Sequence, residues 1–102
     1  MGNTTAVEQY AETVPGAFNL LQNYPNPFNP VTTIRFYLPV REEIALRVYN
    51  LLGQEVALLM EGTVSAGPHA LNWDARNQSG GIYYVVLTAG RDRQVRKAVL
   101  LK

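Results

Sequence analysis

From residue 18 onward, apolar and polar residues alternate in short segments, the period of a half-buried strand. Residues 18–22 are a short apolar run, read as a first edge strand. In residues 32–38, Ile34, Phe36 and Leu38 share one face and Thr33, Arg35 and Tyr37 the other. In residues 44–50, Ile44, Leu46 and Val48 point inward and Ala45, Arg47 and Tyr49 outward. Joined by a turn at residues 39–43, these two segments are expected to pair. Val56, Leu58 and Met60 make the inner face of residues 55–60, with a loop over 61–68. Leu71 and Trp73 point inward from residues 69–74. Residues 81–89 are apolar on both faces, which predicts a central strand covered on each side. A turn at 90–93 leads into a last strand over 94–101.

Seven short strands with no helix demanded in the core predict an all-β, seven-stranded, immunoglobulin-like antiparallel β-sandwich over residues 17–102. Trp73 is expected between the sheets, and Gly53 with a positive φ at its turn. Residues 1–16 are polar, carry Glu8 and Glu12, and read as a flexible linker with an added Met1-Gly2 start. A short helix over 4–12 would lack a continuous apolar stripe. Residues 23–30 carry three prolines, which hold φ near −65° and keep each preceding residue out of helix. This segment is either a rigid recognition element or a stiff lead-in that caps the sandwich. The second reading is preferred.

Composition narrows the function. The 102-residue chain has no cysteine and one histidine, His69, so disulfides, thiolate metal sites and two-histidine sites within it are excluded. A net charge of +1 gives no global field for nucleic acid or anionic lipid. No run of apolar residues reaches the length of a membrane span, and the start has no signal-peptide pattern. Ser65, His69 and Asp74 are the residue types of a catalytic triad, but no nucleophile elbow accompanies them. Glu42 and Glu43 would point to opposite sides of an extended chain. Asp74, Asn77 and the Gly80-Gly81 turn do not match the spacing of a calcium loop. Asn3 and Asn77 each begin a short glycosylation-type sequon, a pattern common by chance. The expectation is no enzyme, no cofactor and no metal. Tyr37 and Tyr49, outward on strands expected to pair, raise a carbohydrate-binding platform as an alternative; cross-strand aromatic pairing is the preferred explanation.

The order of motifs is distinctive. Tyr24-Pro25-Asn26-Pro27-Phe28-Asn29-Pro30 is followed by Thr32-Thr33-Ile34-Arg35-Phe36, then Val48-Tyr49-Asn50-Leu51-Leu52-Gly53-Gln54. Ala66-Gly67-Pro68-His69, Trp73-Asp74, Ser79-Gly80-Gly81-Ile82-Tyr83-Tyr84 and a Lys97 to Lys102 terminus complete the set. This ordered set resembles the type A C-terminal sorting domain of the type IX secretion system of Bacteroidetes and related bacteria. The resemblance rests on Pro25, Asn26, Pro27, Phe28, Gly53, Gly67, Trp73, Gly81 and Tyr83. A related pattern occurs in the immunoglobulin-like domain of flagellar hook-capping proteins, where more chain usually follows; a match running to Lys102 favours the sorting domain.

The resemblance implies a non-catalytic address. A cargo fused in front of the sandwich is carried from the periplasm through the outer-membrane translocon to the cell surface. A sortase-like surface peptidase then removes the domain, and residues 1–16 are the expected cleavage zone. The alternative is a carbohydrate-binding or spacer module of an extracellular enzyme. The terminal run holds five basic residues, Arg91, Arg93, Arg96, Lys97 and Lys102, against Asp92 alone. With Val95, Val99 and Leu101 they are the candidate recognition residues, on a strand whose open edge can bind a partner strand. A monomer, or a weak strand-exchanged dimer, is expected.

Overall fold

The computed structural model describes residues 17–102, so the expectations for residues 1–16 lie outside the described residues. Seven strands follow in order: β1 (Asn19–Leu20), β2 (Val31–Leu38), β3 (Glu42–Asn50), β4 (Glu55–Val64), β5 (Gly67–Asp74), β6 (Gly81–Ala89) and β7 (Asp92–Leu100). They form two antiparallel sheets, ordered β1-β2-β5 and β4-β3-β6-β7. The expected immunoglobulin-like sandwich is the architecture found. Ile34, Phe36 and Leu38 of one sheet and Leu46, Val48, Val85 and Leu87 of the other are buried in a single core.

The expected pairing of the second and third strands is wrong. β2 pairs with β1 and β5, whereas β3 pairs with β4 and β6. The short connection between β2 and β3 crosses from one sheet to the other. The reason is apolar burial: each strand has one oily face, and stacking those faces removes both from water.

β4 also departs from simple alternation. Its pairing with β3 shifts register between Leu46 and Arg47 and again between Val48 and Tyr49. Each shift places an extra residue on β4 and turns the rest of the strand over. Leu58, expected inside, is therefore 48% exposed, while Val56, Ala57, Leu59 and Met60 pack against the core. β4 runs on to Val64, so only Ser65 and Ala66 separate it from β5. The expected loop over 61–68 is mostly strand.

β6 is central in its sheet, as expected, but only its inner face is covered by the second layer. Tyr83, Val85, Leu87 and Ala89 are buried there. On the outer face Val86 is shielded by its cross-strand neighbours, and Ile82 and Tyr84 stay half-buried. At the β3–β4 turn, Asn50 Oδ1 accepts the Leu52 and Gln54 N–H groups at 2.9 and 3.0 Å. Gly53 takes φ 81° there, the left-handed conformation that glycine adopts without steric cost.

Candidate recognition surface

The proline-rich segment packs along the edge of β7. All three of its X–Pro bonds are cis. Its two ends are pinned by isolated bridges, Tyr24 to Thr33 and Phe28 to Leu100. The Phe28 N–H donates to Val99 O at 2.9 Å, and the Leu101 N–H donates to Phe28 O at 2.8 Å. Asn26 continues the seal with its side chain: Oδ1 accepts the Val99 N–H at 2.8 Å and Nδ2 donates to Lys97 O at 3.2 Å. Gln22 Nε2 donates to the same carbonyl at 2.8 Å. Underneath, Asn23 Nδ2 and Thr32 Oγ1 are bonded at 2.9 Å, and both donate to Pro25 O. Both side chains are buried, so these bonds hold the loop while satisfying groups that would be costly to leave unpaired.

Residues that the sequence shows as separate motifs meet at this end of the sandwich. The Phe28 ring lies 5.4 Å from Trp73, and Trp73 lies 5.5 Å from Tyr83, both pairs tilted. Such offset aromatic contacts add to the burial energy. The Tyr83 hydroxyl donates to Ser79 O, four residues upstream. That is the corner bond by which a tyrosine near the start of this strand ties down the preceding loop in immunoglobulin-like sandwiches. Gly80 lies against the chain terminus, where an added Cβ would come within 3.1 Å of Lys102 Cβ. Gly67 and Gly81 take φ 111° and 149°, at the starts of β5 and β6.

The candidate recognition residues divide by strand periodicity. Arg93, Val95, Lys97 and Val99 lie on the outer face of the four-stranded sheet, opposite Thr88, Val86, Tyr84 and Ile82. Arg96 lies on the inner side, half-buried, and donates from its guanidinium to Val95 O at 3.0 Å. Arg91 is exposed in the turn, and Leu101 is exposed after β7. Lys102 Nζ donates to Arg76 O at 2.8 Å, so this lysine is tied to the β5–β6 loop. The expectation of an open β7 edge needs correction. From the Lys97 carbonyl onward the edge is closed by Gln22, Asn26 and Phe28; it is open from Arg93 to the Lys97 N–H.

Catalytic geometry does not form from the candidates. His69 Nε2 donates to the backbone carbonyl of Ser65 at 2.7 Å, and its ring stacks on Phe36 at 5.0 Å. Asp74, at the far end of β5, has both carboxylate oxygens engaged by Arg76 at 2.6 to 3.1 Å. Those hydrogen bonds hold the Asp74 carboxyl below its ordinary range and raise the Arg76 guanidinium. Tyr37 and Tyr49 are on different sheets, so neither the preferred cross-strand pairing of these two rings nor the alternative of a two-ring platform forms. Tyr49 instead lies opposite Tyr84 across β3 and β6, a cross-strand pair hidden from a reading that joined β2 to β3.

A family model described as a secretion system C-terminal sorting domain matches residues 22–101. No curated protein matches the chain.

Proposed function

The chain belongs to the family of secretion system C-terminal sorting domains of type IX export, and on that basis we propose how this one is read. A type IX sorting signal implies a secreted protein that passes the outer membrane and works with the secretion machinery and a fused cargo. In this reading β7 and the turn before it form part of the surface that the outer-membrane translocon recognises. A surface peptidase of the sortase-like kind then cuts in front of the sandwich, within residues 1–16 or upstream of them. The domain acts as signal and substrate, without catalysis of its own.

The observation that carries the reading is the placement of charge. Arg91, Arg93 and Lys97 are exposed on or beside one edge strand of a chain whose net charge is only +1. Among the described residues none of them has a carboxylate partner; the ion pairs are Arg47 with Glu55 and Glu61, and Arg76 with Asp74. Unpaired surface cations add little to stability, so their clustering fits a steering role better than a structural one.

Truncation is a poor test, because Ala98 and Leu100 are core residues and their loss would unfold the domain. The better test replaces Arg93 and Lys97 by glutamate in a full-length precursor and measures surface display of the cargo. Display should fall while the melting temperature of the isolated chain stays unchanged. Normal display of the charge-reversed precursor overturns the reading.

A further inference from the structure

Four edge strands, β1, β4, β5 and β7, each lack a strand neighbour on one side, and they are not equivalent. β1 is only two residues long, and its outward Leu20 N–H and the Phe18 carbonyl before it are already taken by the Gln94 amide. β4 carries two register shifts and Gly62 at φ 126°, irregularities that twist an edge away from a flat partner. β5 begins with Gly67 at φ 111° and then Pro68, which has no N–H to offer. β7 pairs with β6 through nine consecutive residues without a shift. It is the regular edge, the kind that templates another strand.

Its accessible length is set by hydrogen bonds already made. Residues 93, 95, 97 and 99 direct their backbone groups away from β6, since Val99 N–H and O, and Lys97 O, are bonded to the proline-rich segment on that side. This leaves Arg93, Val95 and the Lys97 N–H facing outward; among the described residues only Val95 O is engaged, by the guanidinium of Arg96. On the outer face beside them is a groove of about 530 Å³ lined by Tyr49, Tyr84, Val86, Arg93 and Val95. On the inner side a hollow of about 400 Å³ is lined by Leu21, Gln22, Arg35 and Arg96.

We propose that the β7 edge from Arg93 to Lys97 docks an extended acidic segment of a protein partner by strand addition, in the pattern acidic–x–apolar–x–acidic. The proposal deepens the reading of β7 as the recognised surface and rests on it. Strand addition places partner side chains beside those of the host at a period of two. The central apolar residue then lies over Val95 at the Tyr84–Val86 groove, and the flanking carboxylates meet Arg93 and Lys97. The pattern reads the same in both directions, so it serves parallel and antiparallel docking alike. A second copy of the chain is the disfavoured occupant, because pairing β7 with β7 would bring two rows of unpaired cations together.

The test uses the full 102-residue chain, isotope-labelled, and a synthetic heptapeptide of threonines with glutamate, valine and glutamate at alternate positions. Amide shifts that saturate and centre on Arg93, Val95 and Lys97 are the expected result, with the matching lysine-for-glutamate peptide inactive. Val95→Pro removes an outward N–H without touching a bond to β6, and should abolish binding at an unchanged melting temperature. If that variant is destabilised, the Arg93→Glu, Lys97→Glu double variant decides. It should lose affinity for the acidic peptide about tenfold or more and gain affinity for the lysine one. No saturable shift, equal binding of both peptides, shifts centred on β4 or β5, or self-association through β7 would each overturn the docking mode. Failure here with export still dependent on Arg93 and Lys97 rejects strand addition and leaves the sorting role standing. Peptide binding with export indifferent to those residues keeps the docking mode and rejects β7 as the surface read in export.

Discussion

Gln94 and Leu20 lie 74 residues apart and are joined by a 2.7 Å hydrogen bond from the Leu20 N–H to Gln94 Oε1. The Nε2 of the same amide donates to Phe18 O at 3.2 Å. β1 bonds to β2 through its other side, so this one side chain substitutes for a neighbouring strand at the seam between the sheets. Gln94→Ala should strip partners from two backbone groups at once. A cost of about 1–3 kcal/mol is expected, of the size that accompanies part-buried groups left unpaired. In a domain this small that is a fall in Tm of roughly 4–8 °C per kcal/mol. Thermal unfolding of the variant checks it; a Tm within error of the parent would show that water replaces the amide without loss.

Asn26→Ala should reopen the sealed half of the β7 edge. The Val99 N–H loses its only acceptor among the described residues, whereas the Leu101 N–H keeps Phe28 O. Hydrogen exchange should therefore accelerate at Val99 and hold at Leu101, with a stability loss of about 0.5–1.5 kcal/mol. Equal acceleration at both would mean that the whole segment detaches and that Asn26 is its anchor. The same geometry supports the capping reading of Pro25 and Pro27: replacing both by alanine should lower Tm by loosening a segment that bonds to two strands.

At the other side of that segment, Tyr83→Phe separates hydrogen bonding from packing. The ring stays against Trp73, and Ser79 O loses its donor. About 1–2 kcal/mol should be lost, within the range for removing a bond of this kind. Trp73→Ala, which empties the centre of the aromatic cluster, should cost about 3–5 kcal/mol. That is a large share of the total stability of a domain this size. Chemical denaturation of the two variants orders the effects, and equal losses would assign the tyrosine's contribution to its hydroxyl.

Alternation made the faces of β2 and β3 legible from residues alone, and with them the sandwich. It did not reveal neighbours. Ile34-x-Phe36-x-Leu38 and Ile44-x-Leu46-x-Val48 look the same whether their strands lie side by side or stack across a core. The register shifts of β4 were invisible because residues 56–60 are all apolar, so no polar residue marks where the face turns over. The basic run on β7 could be read directly, but the limit of its open edge could not. That limit depends on Asn26 and Phe28 arriving from a segment more than 70 residues away in the chain, and a side-chain amide completing a backbone ladder leaves no periodic trace. For the same reason Phe28, Trp73 and Tyr83 could be seen as motif residues and not as one cluster.

Asp74 offers a check on the loop that carries Arg76. Its carboxyl is held below the ordinary aspartate value of 3.8 by the Arg76 side chain first and by the Arg76 backbone N–H second. A depressed folded-state value means that the contribution to stability is present above the unfolded-state pKa. It is lost as the pH falls through the folded one, in the acid range below about 4. The pair lies on the surface, so the effect on unfolding is small and the titration itself is the better readout. Followed by NMR at low salt, the Asp74 carboxyl carbon should titrate below an unstructured aspartate. Arg76→Gln should bring it back up, and so in part should about 1 M salt, which screens charges beyond about 3 Å. Lys102 donates to Arg76 O from the chain terminus, so Lys102→Ala should leave the Asp74 titration in place while loosening the terminus. An Asp74 titration indifferent to Arg76 would instead place the source of the depression in the backbone of the turn.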